Sequence, residues 1–276
     1  MNTHLTHNTM IDMNWTEVRA RVEQHALVLL PIGVIEEHGP HLSLGTDIYT
    51  AHLQCCSIQE KLEQAGRKVV IAPPFYWGVC QCTGGFLGSF QIRKETAVAL
   101  LFDILASLAG FGFRDVFGVN AHGDIEQNLA CMEAFKTARE QLGINARFAF
   151  PRERLQPFGL SGDEDFLCPV AAQANAVNTA AVLDVHAGNI ETATMHTFYP
   201  ELVDVGKAKS LPAVALPDER VMDWLWGGHI HSLSSEGYLG SPADFETTDA
   251  VKNLDDVACR VSEAIADSLS LRGEAG

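Results

Sequence analysis

Apolar and polar positions fall into blocks along this chain, and the period within the blocks switches between that of a strand and that of a helix. Ala26 to Leu30 is a short apolar run bounded by Pro31 and Gly33, which predicts a strand buried on both faces, as in a parallel sheet. Thr46 to Gln64 follows a helical pattern, with Gly66 placed to cap its C-terminus. Lys68 to Ala72 reads as a second strand, halted by Pro73-Pro74. Lys94 to Leu108 predicts an apolar helix closed by Gly110, and Val116 to Val119 predicts a strand. A helix up to Leu142 follows, with Gly143 beyond it, and then a strand from Asn145 to Phe150. A short helix from Trp15 to Arg21 precedes the first strand. Near the far end, Val251, Leu254, Val257, Val261 and Ile265 lie close to a 3.6-residue spacing, so a helix is expected from Thr248 to about Leu271.

The remaining stretches show neither period. Phe75 to Phe90 is rich in Gly and Cys and reads as a long loop, a feature that compact domains usually keep for function. Pro151 to Pro169, with an acidic patch at Gly162 to Asp165, and Pro200 to Pro217 read as irregular. Gln173 to Val185 is Ala-rich and leads to His186, near which a helix begins. The alternation of strands and helices through Phe150 predicts an α/β fold of three layers, a mostly parallel sheet with helices on both faces. With no internal repeat and no linker-like segment, a single domain over residues 1–276 is expected.

Composition narrows the function. At 47% hydrophobic and 20% charged residues, the chain can bury a sizeable core, which excludes a disordered protein. A net charge of −16 with no basic arm argues against nucleic acid and anionic membrane surfaces as partners. No apolar run is long enough to span a bilayer, and the polar first ten residues carry no signal core. Seven cysteines without a CxxC pair fit thiols in a reducing compartment, so a soluble cytoplasmic protein is expected.

The candidate chemistry sits where predicted strands end. In open α/β sheets, the loops leaving the carboxyl ends of strands hold the ligands. The loop after the first strand carries Glu36, His38, His41 and Asp47. Glu36 and His38 are two apart, so on an extended segment they point to one side. A carboxylate, an imidazole and a further carboxylate suit a divalent transition metal. Asp47 alone reads first as a helix N-cap, and His41 as a supporting residue. His122 and Asp124 repeat the His and carboxylate spacing after another strand, where Asp124 alone reads as a cap. Two metals roughly 3.5–4 Å apart need about five or six protein ligands, one of them bridging. Glu36, His38, Asp47, His122 and Asp124 supply such a set. His186 is placed to donate a proton to a leaving group if it faces the metals, and Glu191 reads as a helix first-turn acid or a further ligand.

Other motifs are weaker. His229 and His231 lack a nearby third ligand and read as surface or pocket lining, and Trp224 and Trp226 as core or subunit interface. There is no G-x-S-x-G elbow, no Walker A loop and no complete dinucleotide fingerprint.

Taken together, Pro31 to Asp47, Asn120 to Gly123, His186 to Thr192 and Gly237 to Pro242 resemble the motifs of the creatininase (creatinine amidohydrolase) family. The resemblance covers most of the chain. It implies a three-layer α/β/α fold assembled into homo-oligomers, usually hexamers, and a centre of two divalent ions, Zn or Mn. Glu36, Asp47 and His122 match the ligands of one ion; His38, Asp47 and an acid at the Asp124 position match those of the other. His186 matches the catalytic histidine, with Glu191 beside it. Cys80, Trp77 and Gly123 are expected to contact substrate. Where relatives often carry Ser, then Glu-His, then Phe-Pro-Gly-Thr, this chain reads Cys80, Cys82-Thr83 and Phe86-Leu87-Gly88-Ser89. Asp124 stands in place of Glu or Asn.

The expected reaction is metal-activated attack of water on a carbonyl of a small cyclic amide, with His186 protonating the departing nitrogen. Opening of a cyclic polyol diketone (an oxidised inositol) by C–C cleavage is the alternative that the altered loop brings forward. A non-catalytic metal-binding assembly protein is the third.

Overall fold

The computed structural model describes residues 5, 7–172, 182–216, 220 and 230–273. Among them, one sheet is formed by β1 (Leu27–Ile32), β2 (Val69–Ile71), β3 (Asp115–Asn120), β4 (Asn145–Pro151) and β5 (Leu167–Val170). The order across the sheet is β2-β1-β3-β4-β5, and every adjacent pair is parallel. Parallel neighbours need long crossovers. The helices α2 (Thr46–Gln64), α3 (Lys94–Phe111) and α4 (Ile125–Leu142) supply them, while α1 (Trp15–Glu23) precedes β1. Three more helices, α5 (Asn189–Phe198), α6 (Val205–Ser210) and α7 (Ala250–Gly273), follow the last strand.

Side chains alternate along β1 and so feed two cores. Val28, Leu30 and Ile32 pack with Leu101 and Leu105 of α3 and Phe135 of α4. Leu27 and Leu29 pack with Ile58 and Leu62 of α2 and with Val261 and Ile265 of α7. The result is the expected α/β/α sandwich. Among the described residues no helix is long and apolar enough to cross a membrane. No disulfide joins any two of the seven cysteines.

The boundaries differ from expectation for identifiable reasons. β1 continues through Pro31, which has no N–H to give; its carbonyl accepts the Phe75 N–H at 2.9 Å instead. α3 runs to Phe111 and ends on Gly112, whose φ of 110° is left-handed, rather than on Gly110. The stretch read as irregular before Pro169 contains most of β5, an edge strand of four residues with a proline inside it, too short to show a period. Likewise α6 covers six residues within the stretch read as irregular after Pro200. α7 starts at Ala250 rather than Thr248. Residues 173–181 of the Ala-rich stretch lie outside the described residues, as do His229, Trp224 and Trp226.

One glycine sets the distance between β1 and α2. A Cβ on Gly33 would lie 2.9 Å from the carbonyl carbon of Asp47 and 3.0 Å from the Ile48 nitrogen, and backbone atoms cannot swing aside. Gly33→Ala is therefore expected to cost about 1–3 kcal/mol in urea unfolding, as overpacking does. Gly110→Ala, in a helix with nothing within 4 Å of the added carbon, is expected to be neutral or stabilising by about 0.5–1 kcal/mol. Equal stability of Gly33→Ala and the parent would contradict this account of the contact.

Candidate metal centre

The strand order reverses direction at β1, with β2 on one side and β3 on the other. The crevice beyond the carboxyl ends of such a pair is where ligands bind. β1 delivers Glu36, Glu37 and His38 there, β3 delivers His122, and the first turn of α2 delivers Asp47. His186 enters just before α5, and Glu191 in its first turn. Glu36, His38, Asp47, His122 and His186 are all at most 5% exposed.

Asp47 does not cap its helix; Gly45 holds the N-cap position and no side chain caps it. Its carboxylate lies between two imidazoles, Oδ1 3.2 Å from His38 Nε2 and Oδ2 3.1 Å from His122 Nδ1. Glu36 Oε1 is 3.0 Å from the same His122 nitrogen, and 3.9 Å from both His38 Nε2 and His186 Nδ1. Glu191 Oε1 is 4.0 Å from His38 Nε2. Ligands sharing one tetrahedral zinc sit about 3.3 Å apart, given bonds of about 2.0–2.1 Å. The short contacts therefore have the length of the edges of a coordination shell. Among the described residues, three sets of donor atoms lie close enough together to hold an ion: Glu36, His38 and His186; Glu36, Cys80 and His122; and His38, Asp47 and Glu191. Glu36 and Asp47 also meet at His122 Nδ1.

Surrounding groups aim these donors. His38 Nδ1–H donates to the Glu36 carbonyl at 3.2 Å, which leaves Nε2 for the centre. Asn120 brackets His122, its Nδ2 donating to the His122 carbonyl at 2.8 Å while its Oδ1 accepts the His122 N–H at 3.2 Å. Glu36 Oε2 accepts from the Thr83 hydroxyl at 2.5 Å and the Cys80 thiol at 3.2 Å, and Ser89 donates to Thr83 at 3.1 Å. Glu36 Oε1 is thereby turned toward His122. The sequence assigns no role to Glu37, and it marks Thr83 and Ser89 only as part of the altered loop, since nothing in it shows that a loop hydroxyl will hold a glutamate.

The other sequence candidates are placed as follows. Both oxygens of Asp124 are occupied: Oδ1 accepts the N–H groups of Glu126 and Gln127 at 2.8 and 3.2 Å, and Oδ2 those of Gln81 and Cys82 at 2.7 and 3.1 Å. Asp124 caps α4 and ties down the Cys80 loop, the role that its position before a helix allowed. Cys80 lies near Glu36 and His122, within reach of a shared ion. Burial, then the charge of Glu36, pushes its thiol well up, which suits its role as a donor. Trp77 is exposed, its ring tilted against Tyr76 and edge-on to Phe90, and Gly123 is exposed. His41 donates or accepts at Thr192 Oγ1 over 2.9 Å; burial, then His38 and His186, pushes it down to about 4.

The donor set fits cations. His38 Nε2 and Asp47 Oδ2 are buried and make no hydrogen bond among the described residues. Leaving charges buried and unpaired costs several kcal/mol per ion, about the cost of a fold's margin. Burial would push the imidazoles down, yet Glu36 holds His122 well above its ordinary value and His186 up to about 10, and Asp47 raises His38 against both burial and His186. Glu36 is itself held well below the carboxylate range; burial opposes this, but His122, His186 and His38 outweigh it. At His38 and His122 a bound cation would take the place of such a proton.

The two aspartates thus make opposite predictions. Asp47→Asn is expected to retain less than half of the parent's bound metal after dialysis, measured by plasma mass spectrometry. Asp124→Ala is expected to keep its metal and lose about 0.5–2 kcal/mol of stability, as a missing cap does. Loss of metal from Asp124→Ala at full stability would return Asp124 to the ligand set.

Comparison with known proteins places the chain in a family. The creatininase (creatinine amidohydrolase) family model matches residues 11–265. Creatinine amidohydrolase of Pseudomonas putida is 27% identical over 222 residues, covering 75% of this chain and 77% of that protein. The mycofactocin precursor peptide peptidase of Mycobacterium ulcerans (strain Agy99) is 30% identical over 219 residues, covering 78% of this chain and 74% of that one. A 3-dehydro-scyllo-inosose hydrolase of Thermotoga maritima is 26% identical over 114 residues, covering 40% of this chain and 34% of that one. Among solved structures, creatinine amidohydrolase (creatininase) superposes with a TM-score of 0.68 at 21% identity, covering 96% of this chain and 97% of its own. The structure described as creatininase Mn gives 0.67 at 21% identity, with 96% and 98% covered. A variant described as Zn-Zn type gives 0.65 at 21% identity, with 96% and 97% covered. With a family model spanning nearly its whole length and relatives named as hydrolases and peptidases, the chain belongs to the creatininase family of hydrolases.

Proposed function

We propose that the chain is a two-metal amide hydrolase that cleaves a C–N bond of a small substrate, a cyclic amide in the first instance. The observation that carries this reading is Asp47, whose two oxygens face two different imidazoles at 3.2 and 3.1 Å. Glu36, Asp47 and His122 would hold one cation, and His38, Asp47 and Glu191 the other. Zn or Mn suits this mixture of imidazole and carboxylate, and relatives described with Mn and with Zn support the same choice. Bound there, such ions supply a water ionised near neutral pH and a polarised carbonyl.

The chain's own residues do the rest. Thr83 and Cys80 hold Glu36 by Oε2, and the Glu36 carbonyl holds His38 by Nδ1–H, so the donors need little rearrangement on loading. His186 presents Nδ1 on the Glu36 side, 3.9 Å from Oε1; it would take up there the proton that the attacking water loses and pass it to the departing nitrogen. Full burial of these groups keeps bulk water from competing at the reacting atoms. Relatives named for creatinine and for a precursor peptide both act on C–N bonds, which favours nitrogen as the leaving atom. The inosose hydrolase relative supports a second reading, ring opening of a cyclic polyol diketone with an enolate carbon departing, although it matches only 40% of this chain.

A turnover screen of Zn- and Mn-loaded protein against creatinine, simple lactams, formamides, short peptides and cyclic diketones separates these readings. Turnover of amides and not of diketones is expected; the reverse would favour the second reading, and no turnover by either metal form a non-catalytic role. His186→Gln is expected to lower kcat by about 10²-fold or more with metal content unchanged. Undiminished turnover in that variant would remove His186 as the proton donor.

A further inference from the structure

We propose that Glu37 is a positioning residue for His186: it clamps the imidazole by Nε2–H and so turns Nδ1 toward the metal centre. The idea rests on His186 being the proton donor of the reaction above. Glu37 sits between Glu36 and His38 and is only 6% exposed. Its carbonyl oxygen accepts the His186 Nε2–H at 2.9 Å, and its carboxylate Oε1 lies 3.5 Å from the same nitrogen. Among the described residues Oε1 makes no hydrogen bond within the usual length, and this nitrogen is what it faces.

Glu37 is itself fixed at both ends. Oε2 accepts the Gly39 N–H at 2.9 Å, and the Glu37 N–H donates to Ser89 Oγ at 3.0 Å. The opposite side of the clamp is held by one loop. Leu239 exchanges two backbone hydrogen bonds with His186, at 3.0 and 2.8 Å. Gly237 in the same loop, at φ 77°, packs on the Glu37 carboxylate where any Cβ would overlap Oε2. Ala187, directly after His186, has a φ of 50°. A left-handed alanine costs roughly 1–2 kcal/mol, and such strain persists where the surroundings over-determine it. Here it turns the chain so that the Ala187 N–H reaches Glu191 Oε2 at 2.5 Å while His186 faces Glu37.

Two acceptors on one N–H settle which nitrogen carries the proton and which keeps its lone pair for chemistry. A glutamate that only braced its loop through Gly39 would leave the ring of His186 indifferent to its removal. The two roles separate in spectra of Zn-loaded protein labelled with 15N-histidine, in which the His186 signals are those absent from His186→Gln. A long-range proton–nitrogen correlation is expected to show the Nε2-protonated form, with that proton far downfield and slow to exchange with water. In Glu37→Ala the proton is expected to move upfield and exchange faster. Glu37→Gln, which keeps the volume and one acceptor, shifts it part of the way and serves should the alanine variant fold poorly. His186 signals unmoved in either variant would overturn the proposal, whatever happens to turnover. On the substrate found in the screen, kcat of Glu37→Ala is expected to fall about 10–100-fold with KM and metal content unchanged, and to recover in part in Glu37→Gln. Shifted signals with unchanged turnover leave the clamp standing and remove His186 from the reaction, so the two readings fail separately.

Discussion

A single aspartate buried between two imidazoles is the constraint on which the rest of this structure depends. Asp47 reaches that place only because α2 starts hard against the end of β1, and α2 starts there only because residue 33 has no side chain. His122 reaches it because β3 is the parallel neighbour of β1, with Ile32 level with Asn120. The fold thus makes one crevice of residues that lie far apart in the chain. The cost of burying so many ionisable groups is offset only by opposite charge, which is why the same groups that look unstable alone look ordered as ligands.

The parts of this arrangement that were legible in the sequence are those carried by residues close together in the chain. Glu36 and His38 share a side because they are two apart on an extended loop, and the buried strand before them follows from Ala26 to Leu30. The architecture was legible for a similar reason: long helices and apolar strands repeat their pattern often enough to be read. β5 and α6 were not, because four or six residues repeat nothing. Asp47 and Asp124 show a harder limit. Both stand at a helix start with a histidine nearby, and local pattern cannot rank a cap against a ligand. The difference lies in partners distant in sequence: backbone N–H groups of Gln81 and Cys82 for Asp124, and the rings of His38 and His122 for Asp47. Glu37 was invisible for the same reason, since its partner stands about 150 positions away.

The loop from Phe75 to Phe90 joins two tasks. Its hydroxyls and thiol hold Glu36, while its outer side exposes Tyr76, Trp77 and Phe90 in tilted and edge-on ring contacts and Leu87 almost completely. The proposed reaction needs only an electrophilic carbonyl, so residues on that outer side can change without disturbing the proposed ligands beneath.

The central claim is that Asp47 is shared between two cations, and anomalous X-ray scattering from crystals of Zn- or Mn-loaded protein tests it most directly. The account predicts two peaks roughly 3.5–4 Å apart, each bound by one oxygen of Asp47. A single peak, or two peaks of which only one touches Asp47, would contradict it.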